Sequence, residues 1–218
     1  MADYGQKIPG GWFHEETHIY RNEAGVIVPS VTQVFDLLGF TDFGGINEEV
    51  LEWKRCFGTS VHSAVELLVQ NDLDWDSCDE RAIPAITGIE QKLKSMQYVP
   101  EAAEETRIYN LHGMEYGGSL DHRGICVHQG VERHCVIDLK TACEAEPYWK
   151  WQVAAYSCGL EKHEKPWLGV VLQVSKDGDV KPFFYDTFAG LREFQILLST
   201  VILGVNNGLY KLGKNGNG

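Results

Sequence analysis

The segment Val136-Ile137-Asp138-Leu139-Lys140-Thr141 constrains this chain more tightly than any other. In an extended strand alternate side chains share a face, so Asp138 and Lys140 point one way while Ile137 and Leu139 point the other, into an apolar core. A carboxylate and an ammonium on an otherwise hydrophobic strand are costly unless they pair or bind something. Upstream, Gly118-Ser119-Leu120-Asp121 closes a second β-like stretch and supplies another carboxylate that could converge on the same spot. Two aspartates and a lysine on neighbouring strands suit a divalent metal and phosphodiester chemistry. Taken alone, Asp-x-Lys reads more simply as a structural ion pair at the rim of a sheet, so the rest of the chain has to decide.

At 218 residues the chain can fill one core, with room for a small accessory lobe. Without internal repeats, low-complexity segments or proline-rich linkers, one domain spanning 1–218 is expected. No apolar run approaches the roughly 20 residues that cross a bilayer, so no membrane association is expected. The opening Met1-Ala2-Asp3-Tyr4-Gly5-Gln6-Lys7 lacks the basic-then-apolar pattern of a secretory signal, and the first arginine is Arg21, unlike an organelle transit peptide. The expected setting is the bacterial cytoplasm, or a host cytoplasm for a phage protein. Six cysteines (Cys56, Cys78, Cys126, Cys135, Cys143, Cys158) form no Cys-x-x-Cys pair, and reduced thiols are expected. The net charge of −12 argues against a protein that coats long duplexes, because counterion release on phosphates requires a basic surface. If the partner is nucleic acid, a few nucleotides are gripped in a local cleft.

Periodicity divides the chain into a mainly helical part over 1–100, a sheet core over 101–190, and a C-terminal helix with a frayed tail over 191–218. Trp12 to Val28 reads as a hairpin or loop around the Asn22-Glu23-Ala24-Gly25 turn signal. Ser30 caps a helix that Gly39 closes. Further helices are predicted over 47–70, with Gly58 as a break or a close contact, and over 79–97. Strands follow near 103–110, 116–128 and 131–141, then a helix over 147–160, strands near 167–175 and 180–186, and a last helix over 191–205. Helices, a three-strand meander, then a helix and more strands describe an α/β or α+β sandwich.

Several polar constellations sit on this framework. His62 and Glu66 lie one helical turn apart, where an imidazole and a carboxylate share a face; a surface pair fits equally well. Gln152 and Tyr156 are likewise one turn apart, just after the Asp-x-Lys strand, and could hydrogen-bond a phosphate or a water; taken alone, a core tyrosine with a solvated glutamine explains them better. Trp149 and Trp151 could stack on bases, though packing accounts for at least one. Of the adjacent Glu104 and Glu105, Glu105 is favoured as an added carboxylate. His14-Glu15-Glu16-Thr17-His18 matches the His-Glu-x-x-His pattern of zinc peptidases, but that chemistry needs a long helix and a third ligand, and neither is evident. His112, His122, His128, His134 and His163 show no tight metal spacing.

The ordered set Gly58-x-x-x-His62, Gly118-x-x-Asp121, Asp138-x-Lys140 and Gln152-x-x-x-Tyr156 resembles the PD-(D/E)XK nuclease superfamily, and within it the RecB-like branch of single-domain exonucleases. The Pro29-Ser30-Val31-Thr32 opening is similar to that group as well. The resemblance implies an α/β fold with a restriction-endonuclease-like core, a central mixed β-sheet flanked by helices, preceded by an N-terminal helical region. It implies a Mg2+- or Mn2+-dependent exonuclease acting on DNA, at single-stranded ends, in recombination, repair or phage replication. Asp121 and Asp138 would bind the metal with His62 as a further ligand, Lys140 would position the attacking water, and Gln152 with Tyr156 would complete the site. Some relatives carry an iron–sulfur cluster on late cysteines; no cysteine follows Cys158, so no cluster is expected. The alternatives are a non-catalytic nucleic-acid- or protein-binding module of the same fold, or a zinc peptidase at His14 and His18.

Overall fold

Four short strands, β1 (Gln6–Ile8), β2 (Gly11–His14), β3 (Ile19–Asn22) and β4 (Ile27–Val28), pair antiparallel in chain order into a small sheet. The structure is a computed structural model that describes residues 4–41, 47–161 and 165–213. This sheet precedes the helices of the mainly helical part over 1–100, and the turn expected at Asn22-Glu23-Ala24-Gly25 joins β3 to β4. Turns with Gly10 and Gly25 at positive φ reverse the chain. Ile8, Tyr20 and Val28 then bury one face against Ile108 of the main sheet. Alternation too short to stand alone becomes a sheet because a larger one lies beneath it.

Helix α1 (Val31–Leu37) opens with a reciprocal cap, in which the Gln33 amide N–H donates to Ser30 Oγ and the Ser30 N–H donates to the Gln33 side chain. Helix α2 (Glu48–Val69) runs unbroken through Gly58, where an added Cβ would sit 3.2 Å from Thr141 Oγ1. Gly58 is therefore a close contact and not a break. Helix α3 (Ile83–Ser95) starts later than its periodicity suggests, with Pro84 in its first turn.

The main sheet comprises β5 (Val99–Leu111), β6 (Met114–His128), β7 (Val131–Lys140), β8 (Leu168–Val174) and β9 (Val180–Asp186), paired in that order. Only β7 and β8 run parallel, and helix α4 (Trp149–Ser157) lies in the connection between them. Ile137 and Leu139 pack with α2 and α3 on one face; Val136 packs with α1, α4 and the last helix, α5 (Thr187–Asn206), on the other. The fold is thus an α/β sandwich with a mixed five-stranded sheet and an added antiparallel sheet.

Helix α5 departs from the expectation for apolar runs. Despite Arg192 and Glu193, it is long and apolar enough, by length and composition, to cross a membrane. Its Gly190, Phe194, Leu198, Val201 and Gly204 are buried in this fold, whereas Phe188, Ile196 and Leu203 are exposed. The tail expected to fray from Gly213 lies, past that residue, outside the described residues.

Candidate active site

The main sheet parts at one point, and the candidate site lies there. The antiparallel ladder between β6 and β7 ends at His122–Ile137, while β7 continues alongside β8 through Asp138, Leu139 and Lys140. Asp121 and Asp138 are the next positions beyond that last pair. The Leu139 N–H, without a β6 carbonyl opposite it, donates to Asp121 Oδ2 at 2.7 Å. A side-chain carboxylate thus replaces a backbone acceptor and is fixed in place by it.

Helix α2 brings His62 to the same carboxylate, with Nδ1 3.4 Å from Asp121 Oδ2. Strand β5 adds Glu104. The β5–β6 ladder pairs Ala103 with His122 and Glu105 with Leu120, which leaves Glu104 opposite Asp121. Glu104 has a φ of 50°, a left-handed conformation that is costly for a non-glycine residue inside a strand. One ligand atom from each of His62, Glu104 and Asp121 lies within 4.8 Å of the others, a group that could hold a metal ion.

Asp138 and Lys140 form the second half. Asp138 is almost wholly buried, and Lys140 Nζ lies 2.8 Å from its Oδ2. Behind them on α4, Gln152 and Tyr156 are buried, and Gln152 Nε2 donates to the Tyr156 hydroxyl at 3.2 Å. Gly118 makes room for that tyrosine, since an added Cβ would come within 2.8 Å of its ring. The Tyr116 hydroxyl donates to the Ala155 carbonyl at 2.8 Å and ties α4 to β6.

Charge divides the two halves. Burial alone would raise the Asp121 carboxyl, but His62, Lys140 and the Leu139 N–H outweigh it and hold the group at about 2. Burial raises Asp138 to about 6, with Lys140 offsetting only part of that cost. Glu104 is open to solvent at its rim, yet desolvation, then repulsion from Asp121 and Glu66, lifts it to about 7. His62 and Lys140 both lose some of their charged form to burial and recover more from the aspartates, ending above their ordinary values. An ionised Asp121 flanked by Glu104 and Asp138, which ionise reluctantly, and by an imidazole is the donor set a hard divalent cation would stabilise.

The fold thus brings His62, Asp121, Asp138, Lys140, Gln152 and Tyr156 to one place. Glu66 lies near enough to repel Glu104, and its own Oε1 accepts from Gln70 Nε2 at 3.4 Å. Glu105 is turned away and ion-paired with Arg123, so the carboxylate that β5 contributes is Glu104. Strand alternation cannot reveal this, because the left-handed residue breaks the parity on which alternation depends.

Trp149 is fully buried with its ring edge-on to Phe183, and Trp151 Nε1 donates to Glu193, so Trp149 offers no face to a base. His14 ends β2, and His18 sits in a turn with a φ of 52°, edge-on to Phe13 and Tyr20. Without a helix there, the peptidase motif has no common metal-facing side. His163 lies outside the described residues. His122, missed as a site neighbour, is buried beside Asp121, and burial lowers it to about 4, keeping its imidazole neutral.

No protein-family model matches the chain, and no curated protein matches it. A solved structure described as a "Putative exonuclease" from Eubacterium rectale superposes with a TM-score of 0.51 at 16% identity, covering 84% of this chain and 83% of that one. A second solved structure, SSO0001, reaches a TM-score of 0.28 at 19% identity over 52% of this chain and 56% of its own, too slight a likeness to build on. The chain is therefore similar in fold to the Eubacterium rectale protein over most of its length.

Proposed function

We propose that this protein is a divalent-metal-dependent nuclease with a restriction-endonuclease-like core, of the RecB-like branch of the PD-(D/E)XK superfamily, that hydrolyses phosphodiester bonds at single-stranded DNA ends. The observation that carries this reading is the convergence of His62, Glu104 and Asp121 beside the Asp138–Lys140 pair where β6 and β7 separate. The fold likeness to the Eubacterium rectale protein supports it.

His62, Glu104 and Asp121 would hold Mg2+ or Mn2+, with Asp138 adjoining; the imidazole nitrogen favours manganese more than an all-oxygen set would. The bound cation would supply positive charge against the scissile phosphate. Asp138 anchors Lys140, whose ammonium orients the attacking water and stabilises charge growing on the phosphate oxygens. Asp121, held by the Leu139 N–H, keeps its carboxylate directed at the cleft. Gln152 and Tyr156, buried and hydrogen-bonded to each other on α4, would form a polar floor behind the Asp138–Lys140 pair.

The test uses end-labelled single-stranded DNA with Mn2+. Products that form with the wild type and vanish with EDTA are expected; none with either Mn2+ or Mg2+ would end this reading. Labels at the 5′ and 3′ ends, with a circular control, give polarity and separate end-dependent from internal cleavage. Lys140→Ala should lose cleavage yet keep divalent affinity by calorimetry. Loss of metal binding in that variant would reassign the lysine.

A further inference from the structure

We propose that the groove between α2 and the β8–β9 turn is a subsite for one unpaired nucleobase of a single-stranded nucleic acid, stacked on Trp53 with its phosphate beside Lys54. This rests on the nuclease reading and deepens it by naming how the strand is gripped. The groove has a volume of about 470 Å³, and its lining includes Trp53, Lys54, Phe57, Thr141, Lys176 and Lys181. It opens at the carboxyl ends of the parallel pair, where β7 ends at Lys140 and β8 ends at Val174. Crevices beyond the carboxyl ends of parallel strands are the usual ligand sites of α/β sheets. Thr141, in the groove wall, directly follows Lys140.

The chemistry of the walls favours a base over other occupants. Trp53 is 40% exposed, although Phe57 covers one face of its indole, with ring centroids 5.4 Å apart and planes inclined by only 4°. An indole braced on one side and open on the other is a stacking platform, and such stacking tolerates any base because every base has a π-face. Lys54, Lys176 and Lys181 outnumber Asp177 and Asp179 in the lining, a locally positive balance on a chain of net charge −12. Lys176 is paired with Asp177 at 2.7 Å, and Lys181 lies over the Phe183 ring, so Lys54, one residue from the indole, is the cation best placed for a phosphate. A base held in a duplex cannot stack here, which makes the expected ligand single-stranded.

Two contacts brace the wall opposite α2. Gly88 of α3 and Gly178 of the turn approach so closely that a Cβ on Gly88 would lie 2.1 Å from the Gly178 carbonyl oxygen. Gln173 Nε2 donates to the Ala142 carbonyl at 2.8 Å and ties the segment after β7 to β8. A prebuilt groove loses less conformational freedom on binding.

The experiment compares oligothymidylate hydrolysis by the wild type, Trp53→Ala and Trp53→Phe, together with anisotropy of the labelled oligonucleotide in EDTA. Trp53→Ala should raise KM by about 5- to 100-fold with a much smaller change in kcat, and Trp53→Phe should recover most of the loss. Lys54→Glu should reduce the salt dependence of binding by about one counterion. Wild-type hydrolysis with an unchanged KM in Trp53→Ala would overturn the subsite and leave the nuclease reading intact. A duplex that competes as well as the single strand would overturn it too. No hydrolysis by the wild type would defeat the nuclease reading, and the anisotropy then decides the subsite: Trp53-dependent binding supports it, and Trp53-independent binding or none overturns it. Should Trp53→Ala fail to fold, Lys54→Glu and the duplex competition decide by the same criteria.

Discussion

Two histidine-and-acid clusters in this chain had opposite fates. His14-Glu15-Glu16-Thr17-His18 packs its candidate ligands into five consecutive residues, yet the fold spreads them over a strand end and a turn, with His18 lodged against Phe13 and Tyr20. His62, Glu104 and Asp121 come from a helix and two strands, and the fold gathers them within 4.8 Å. Nearness in sequence makes a metal site only when the local backbone has the right period. Nearness in space needs no motif, only elements that meet where a ladder ends.

The sharpest way to break this contrast is a pair of variants. Asp138→Asn, which preserves volume in a buried position, should reduce turnover on single-stranded DNA by about 100- to 1000-fold, as the loss of one preorganised charged group does. His18→Ala should stay within a few-fold of the wild type. Equal losses, or stoichiometric zinc that disappears with His18, would move the chemistry to the N-terminal sheet. A finer comparison concerns two neighbours. Glu104→Gln should weaken Mn2+ binding by about tenfold or more in calorimetry. Glu105→Gln, which breaks only the pair with Arg123, should leave it nearly unchanged. The reverse ranking would show that β5 presents the other carboxylate.

The smallest expected effect is a pH slope. Glu104 and Asp138 are raised on folding, to about 7 and about 6, and His62 is raised as well. Each therefore adds stability that is present at low pH and lost as pH rises through its folded value. Asp121, held at about 2, acts in the opposite sense and costs stability only below the ordinary carboxylate range, while His122, lowered to about 4, and His18, also lowered by burial, oppose the three by gaining stability as pH rises toward 6.5. Urea unfolding of the metal-free protein should show greater stability near pH 5 than near pH 8, and Mn2+ should flatten or reverse that slope because its ligands must be deprotonated. A metal-free profile that rises toward pH 8 would contradict the crowding of carboxylates around Asp121.

Much of the fold was legible because its elements are long and periodic. Among the described residues, every strand of the main sheet and each of α1 to α5 has a counterpart in the patterns, and the alternation placed Ile137 and Leu139 in the core. The N-terminal sheet was legible only as a hairpin or loop around Asn22–Gly25, because strands of two to four residues carry little pattern and pack on Ile108 beneath them. For the site, Asp121, Asp138 and Lys140 stood out as charges on otherwise apolar strands. Glu104 did not, since its left-handed backbone reverses the side its neighbours predict. Trp149 shows the same limit: its indole could stack on a base, and only burial reveals that it is sealed in the core.

By itself, the sequence determined which residues could carry charge at a cost, since an acid or lysine set among Val, Ile and Leu must find a partner wherever the chain folds. Tertiary structure alone decided which of those charges meet. The separation of β6 from β7, the approach of α2 and the reversed side chain of Glu104 are long-range events, fixed by packing between segments that no local period links.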